Sequence, residues 1–470
     1  MRAMKVAIWS VMCAWLLAGC ASFPASERQV RQAEPAAPEL DIQSWHTSGG
    51  ARVMFVQSEA LPMLDVRLVM NAGGARDGDL PGLAAMTSAL IGEGAQGLSV
   101  DDIARGFEDK GAQFSSGSYQ DMAVISLRPL SEPQWRDPAL TLLARVAGQP
   151  TFPRDALERI RTQMLQGLKM ERQVPGPQVQ KAYQKLLFGD HPYGHAEGGT
   201  LESLPRIQRQ DLVDYHQRYY TAGNTVIALV GDVSRAQAER IAQRLSDALP
   251  QGGAAPALPR ARTLSARKVE HLTFPSTQTH ILLGNQATWR GDPDHVALYV
   301  GNYILGGGGF ASLLTQEVRE KRGYVYGISS YFKPMAAGGP FTVQLQTAND
   351  NASDALALTL DQIRRFIAEG PSEEELTMAK DNILGGMALE TADNSDIIGQ
   401  LGAIGFYDLP LDYLQRFNQQ VRDLTVADIQ AAMRKAVDPD HLAIVSIGPE
   451  APALPAMQTV ESNESQGKDQ

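Results

Sequence analysis

Cysteine is almost missing from this chain, and the two that occur, Cys13 and Cys20, both fall within the first twenty residues. The body therefore has no thiol for an internal disulfide or a cysteine-based metal site. Excess positive charge is missing as well. Lysine and arginine number 42 against 53 aspartates and glutamates, a formal charge of −11, and no basic stripe is present to neutralise phosphates, which argues against a nucleic-acid partner. The glycine run Gly306 to Gly309 is not followed by Gly-Lys-Ser/Thr, so it does not read as a phosphate loop. What is present is globular: 43% hydrophobic and 20% charged residues over 470 positions, enough for two or three domains with large cores.

The two cysteines are explained by the N-terminus. Arg2 and Lys5 form a positive region, Val6 to Leu17 an apolar core, and Leu17-Ala18-Gly19-Cys20 a small-residue cleavage box. The apolar core is shorter than the ~20 residues needed to span a bilayer. The segment resembles a bacterial lipoprotein signal peptide, which implies removal of residues 1–19 and acylation of Cys20. Ala21 and Ser22 follow with no Asp, which by the same resemblance favours the outer membrane. Residues 20–44, rich in Ala, Pro, Glu and Gln, read as a flexible tether, and residues 451–470 as a disordered tail.

Between tether and tail one unit is written twice. Pro153 and Pro371 each open a helix, the second with Ser372 and Glu375 spaced as a capping box. Asp211 and Asp428 each lead through a helix to an apolar strand, Thr225 to Asp232 and Leu442 to Gly448. Strands at Val66 to Val69 and His280 to Leu283 precede irregular loops in both halves. The offsets are 218, 217 and about 214, consistent enough to mark a duplication. Residues 45–249 and 263–450 are expected as two similar α+β sandwich domains, joined by a Pro- and Gly-containing linker at 250–262.

The halves differ most around Ala311 to Ile328. Ala311 to Arg322 is expected as a short helix closed by a left-handed Gly323, and Tyr324 to Ile328 as a strand. Arg319 in the last helical turn and Tyr326 on the strand are then placed to converge. A guanidinium fork and a phenol are suited to holding a peptide carbonyl and stabilising charge developing on it.

Gly82-Leu83 and its helix, His191-Pro192-Tyr193-Gly194, Val230-Gly231-Asp232, Leu305 to Gly309 and the block from Arg319 to Tyr326 occur in an order that resembles the insulinase/pitrilysin family. The likeness is to its short-chain branch, related to mitochondrial processing peptidases. It implies a pair of similar α+β domains forming half of a clamshell and zinc-dependent peptide cleavage. In that family a His-x-x-Glu-His helix supplies two zinc ligands and the general base, and a later glutamate completes the site. Here Ala85 and Ala89 stand at the histidine positions, Ser88 at the base, and Gln166 and Gly167 near the later ligand. The second half has Tyr299 and Tyr303 at the corresponding spacing.

No metal is therefore expected in this chain. The family's Arg and Tyr, seven apart, match Arg319 and Tyr326, while the first half has Phe107 and Phe114 there. The resemblance implies the zinc-less subunit of a heterodimeric peptidase. A homologous partner would carry the zinc, and this chain would lend Arg319 and Tyr326 to the peptide substrate. The alternative is a non-catalytic scaffold or peptide-binding envelope lipoprotein. His191 and His195 are not expected to bind metal, because Pro192 and Gly194 prevent a helix that would align them.

Overall fold

The computed structural model describes residues 40–387 and 389–454. The expected signal segment, Cys20, most of the tether and the end of the tail lie outside the described residues. Among those described, no helix is long and apolar enough to cross a membrane.

The first half comprises strands β1 (Gln43–His46), β2 (Arg52–Gln57) and β3 (Leu64–Met70), helices α1 (Leu83–Leu90) and α2 (Val100–Glu108), then strands β4 (Gln113–Ser118) and β5 (Ala123–Arg128). Helices α3 (Pro133–Gly148), α4 (Arg154–Glu171), α5 (Pro175–Phe188) and α6 (Arg209–Tyr219) follow, then β6 (Thr225–Gly231) and α7 (Arg235–Ala248). The second half has β7 (Lys268–Thr273), β8 (Gln278–Thr288), α8 (His295–Asn302), β9 (Val325–Phe332) and β10 (Gly339–Ala348). It is completed by α9 (Ala352–Glu369), α10 (Glu373–Gly386), α11 (Asn394–Phe406), α12 (Tyr413–Asp423), α13 (Val426–Ala436) and β11 (Ala443–Gly448).

Topology makes the duplication explicit. The first sheet runs β1-β2-β6-β3-β5-β4 and the second β9-β10-β8-β11-β7. Without β1, the first order read from its β2 edge and the second read from β7 are the same path. Each contains one parallel pair at the same place, β2 with β6 and β7 with β11, and is otherwise antiparallel. Central strands β6 and β11 are buried on both sides, as their unbroken apolar runs require, whereas β5 alternates buried and half-buried residues. Reciprocal capping boxes start α2, α7, α10 and α13, with Ser99, Ser234, Ser372 and Thr425 as the N-caps.

A sandwich with helices on one face of each sheet accounts for only part of the packing. The opposite face of the first sheet, with Met54, Val69 and Ala228, is covered by α11 of the second half through Ile397, Leu401 and Ile404. The opposite face of the second sheet, with Leu282, Val445 and Ile447, is covered by α5 of the first half through Val179, Tyr183 and Leu187. Each half thus lends one helix to the other. Fully burying an apolar side chain of this size contributes roughly 1.5–3 kcal/mol, so the exchange binds the halves firmly.

The expected tether ends earlier than its composition suggests. Ile42 is buried in the cluster under α11, and β1 starts at Gln43. In the linker, Pro259 O faces His191 Nε2 at 2.8 Å and Ala261 N donates to Ala337 O at 2.8 Å.

Candidate functional site

The segment before β9 holds the expected Arg/Tyr block, with one difference from a plain helix. After a short 3-10 turn at Gly309–Ala311, Thr315–Glu320 winds as π-helix, as does Tyr303–Gly307 beyond α8. Lys321 N donates to Gln316 O, five residues back, at 2.9 Å. The wider turn keeps Leu314 and Val318 fully buried and leaves Arg319 at the surface. Such turns recur at functional sites.

Gly323 closes the segment at φ 65°, the left-handed conformation expected of it, with its N–H donating to Arg319 O at 2.9 Å and Tyr324 N to Val318 O at 3.1 Å. Strand β9 then begins with a bulge. Val325 pairs with Thr347 and Gly327 with Gln346, which leaves Tyr326 as the extra residue. A bulge re-aims its side chain, and Tyr326 is 60% exposed. Because β9 is an edge strand, the phenol stands beside unpaired backbone groups.

The Arg319 side chain is 37% exposed, with Nη1 3.3 Å from Glu320 Oε1. Its guanidinium carbon lies 5.0 Å from the centroid of the Phe310 ring, itself 73% exposed. No hydrogen bond joins Arg319 and Tyr326 among the described residues. In the first half, Phe107 and Phe114 stack face to face at 5.0 Å and 4°. That stack caps the core where the second half presents polar groups. Phe310 was not singled out by sequence reasoning; its only signal is a large aromatic directly after four glycines.

Helix α1 carries the positions where the family zinc motif would lie. Ala85 is half-buried, Ser88 buried and Ala89 exposed, and Ser88 O accepts from Ser116 Oγ at 2.9 Å. Two methyl groups and a hydroxyl do not supply the imidazole and carboxylate donors that zinc requires. On α4, Gln166 and Gly167 are exposed. Among the described residues no group of three or more His, Cys, Asp or Glu could hold a metal ion. The start of α1 is held by Asp77, whose carboxylate accepts from Gly82 N at 2.6 Å and Ala84 N at 2.7 Å. Burial pushes that carboxyl up to about 7 against the pull of the two N–H donors.

Tyr299 and Tyr303 line a pocket with His295, Phe332, Tyr413 and Phe417. Tyr299 packs edge-on against Phe417 at 5.4 Å, an aromatic cluster in place of a ligand set. His191 is fully engaged within the fold: Nδ1 accepts from Tyr193 N at 3.1 Å, and the Nε2–H is then the donor to Pro259 O. Tyr193 in the same loop donates to Asp121 at 2.5 Å and accepts from Ala337 N at 2.9 Å.

This geometry can be set beside known proteins. A family profile described as Peptidase M16 inactive domain matches residues 206–383, which contain Arg319 and Tyr326. The crystal structure of a peptidase M16 inactive domain from Pseudomonas fluorescens superposes with a TM-score of 0.85 at 47% identity, covering 88% of this chain and 100% of that one. The chain belongs to the peptidase M16 family.

Other M16-like relatives are more distant. The Helicobacter pylori protein named Non-peptidase homolog YmxG is 27% identical over 402 residues, 84% of this chain and 91% of that protein. An uncharacterized zinc protease of Mycobacterium tuberculosis is 26% identical over 421 residues, 88% of this chain and 95% of its own length. This M16 chain is thus a zinc-less member by its own residues, with alanine, serine and alanine at the motif.

Proposed function

We propose that this M16 chain is the non-zinc subunit of a two-chain metallopeptidase, and that Arg319 and Tyr326 hold the scissile peptide for a homologous, zinc-bearing partner. The observation that carries the reading is the placement of Tyr326: an exposed phenol on a bulge of an edge strand, seven residues after a surface arginine with no buried counter-ion. An extended peptide pairing with such an edge gains main-chain hydrogen bonds. The phenol and guanidinium then donate to its carbonyl oxygen, and their donation strengthens as negative charge develops there. The zinc of the partner supplies the hydrolytic chemistry.

The expected lipid on Cys20 places the assembly at the bacterial envelope, facing the periplasm and more favourably the outer than the inner membrane. The test is Tyr326→Phe in the assembled pair. Loss of one oxyanion donor costs roughly a hundred- to a thousandfold in turnover, while assembly is unchanged. Full turnover in that variant removes the role assigned to Tyr326.

A second reading, a non-catalytic peptide-holding scaffold, is favoured by one observation: a relative aligned over most of its length is named a non-peptidase homolog. It predicts peptide binding with no hydrolysis in any pairing.

A further inference from the structure

We infer that the cavity between the two sheets is a carboxylate-binding site for acidic peptides. The cavity measures about 790 Å³, within the range of sites that enclose small ligands. One wall is formed by β3, β4, β5 and the turn from Tyr119 to Met122; the other is formed by Phe332 to Met335, with Arg290 and Tyr407. Three cations line it, Arg67, Arg290 and Lys333, and two carboxylates, Asp121 and Glu197.

The carboxylates are already engaged. Asp121 accepts from Tyr193 at 2.5 Å, Ala336 N at 2.9 Å and Tyr407 at 3.0 Å. Glu197 faces Lys333, whose charge opposes the rise in pKa that burial causes. The arginines lack a carboxylate partner, although the hydroxyls of Tyr407 and Tyr413 lie within reach of Arg290. Arg67 rises from β3 and runs along α11 at Gly399 and Gly402. Its Nε is buried without a partner, and the neighbouring Asp65 is bonded to Arg128 at 2.7 Å. Arg290 likewise has a buried Nε without a partner, its guanidinium 5.2 Å from the Tyr407 ring centroid. Neither arginine forms an ion pair among the described residues.

Two guanidinium groups without ion-pair partners, lining one cavity of a chain whose net charge is negative, select an anion, and the planar fork of each fits a carboxylate through two donors. The cavity borders β4, an edge strand of the first sheet, through Ser115, Ser116 and Gly117. An extended peptide is therefore the carrier this wall accommodates. The carboxylate is either an Asp or Glu side chain or the C-terminus. This goes beyond the Arg319–Tyr326 reading and is independent of it, since the binding belongs to the isolated chain.

The experiment is fluorescence anisotropy on the full chain with a fluorescein-labelled Gly/Ser peptide carrying one central Glu and a free C-terminus. It is compared with the amidated peptide, the Glu→Gln peptide and the peptide with both changes. Loss of a charge-assisted hydrogen bond weakens binding roughly ten- to a hundredfold. The doubly blocked peptide is expected to fall by that factor, and the single changes identify which carboxylate is read. Arg67→Gln and Arg290→Gln are each expected to erase the difference between acidic and blocked peptides, with Arg67→Lys retaining part of it. Equal affinity of wild-type protein for all four peptides overturns the inference. So do variants that lower the melting temperature yet keep the wild-type preference. Should Arg67→Gln not fold, the wild-type peptide series and Arg290→Gln still decide.

Discussion

Asp121 is the residue on which both halves of the molecule lean, and replacing it with alanine gives a calculable loss. Its carboxylate, 5% exposed, accepts the hydroxyls of Tyr193 and Tyr407 and the N–H of Ala336. Asp121 and Tyr193 belong to the first half, Tyr407 and Ala336 to the second. In Asp121→Ala the three donors lose their acceptor. Tyr407 and the Ala336 N–H border the cavity or the surface, where water replaces the carboxylate. Tyr193 is fully buried and has no such recourse. An unsatisfied buried donor costs about 1–3 kcal/mol, so the variant is expected to lose roughly 2–4 kcal/mol once smaller losses at the other two are included. Urea denaturation followed by tryptophan fluorescence measures it as a lower midpoint. Tyr193→Phe removes the same donor from the other side, so the losses must not add; the pair is expected to couple by about 1 kcal/mol or more. Additive losses, or a loss under about 0.5 kcal/mol for Asp121→Ala, refute the claim that this carboxylate joins the halves.

Other outcomes follow from the same geometry. His216 is buried with Nε2 2.8 Å from Ala147 O, and burial lowers its pKa to about 4. The fold therefore holds it neutral, while the unfolded chain binds a proton below about 6.5. Its contribution is present above that pH and is lost as pH falls towards 4, on the order of 3 kcal/mol across the window. His216→Gln is expected to flatten the decline in urea midpoint over that range. Phe310→Ala removes an exposed ring stacked on Arg319. A surface cation–π contact contributes about 0.5–1 kcal/mol, so turnover of the assembled pair is expected to fall two- to fivefold with the melting temperature unchanged. A fall in stability instead would make Phe310 a packing residue.

The duplication was legible because apolar strands and capped helices recur at nearly constant offsets, and the two sheets have the same strand order. The loss of zinc ligands was legible for a simpler reason: Ala85 and Ala89 have no donor to offer. The exchange of α5 and α11 was not. Periodicity shows that a helix has an apolar face, never which sheet that face will meet. Strand β2 was overlooked, although Val53 to Val56 is an unbroken apolar run of the kind that marks a central strand. The π-helical winding before Arg319 and the bulge at Tyr326 depend on how β9 registers against β10, and that pairing is long-range. Cavity charge was equally hidden, because Arg67 and Arg290 lie more than two hundred residues apart and meet only when the halves close on each other.

Reconstitution tests the central claim most directly. This chain and a homologous chain with an intact His-x-x-Glu-His helix are purified separately and together, and zinc content and peptide hydrolysis are measured for each. The account predicts zinc in the partner alone, hydrolysis only by the pair, and a hundredfold or greater loss when this chain carries Tyr326→Phe. Stoichiometric zinc with hydrolysis by this chain alone, or a pair indifferent to Tyr326, contradicts it.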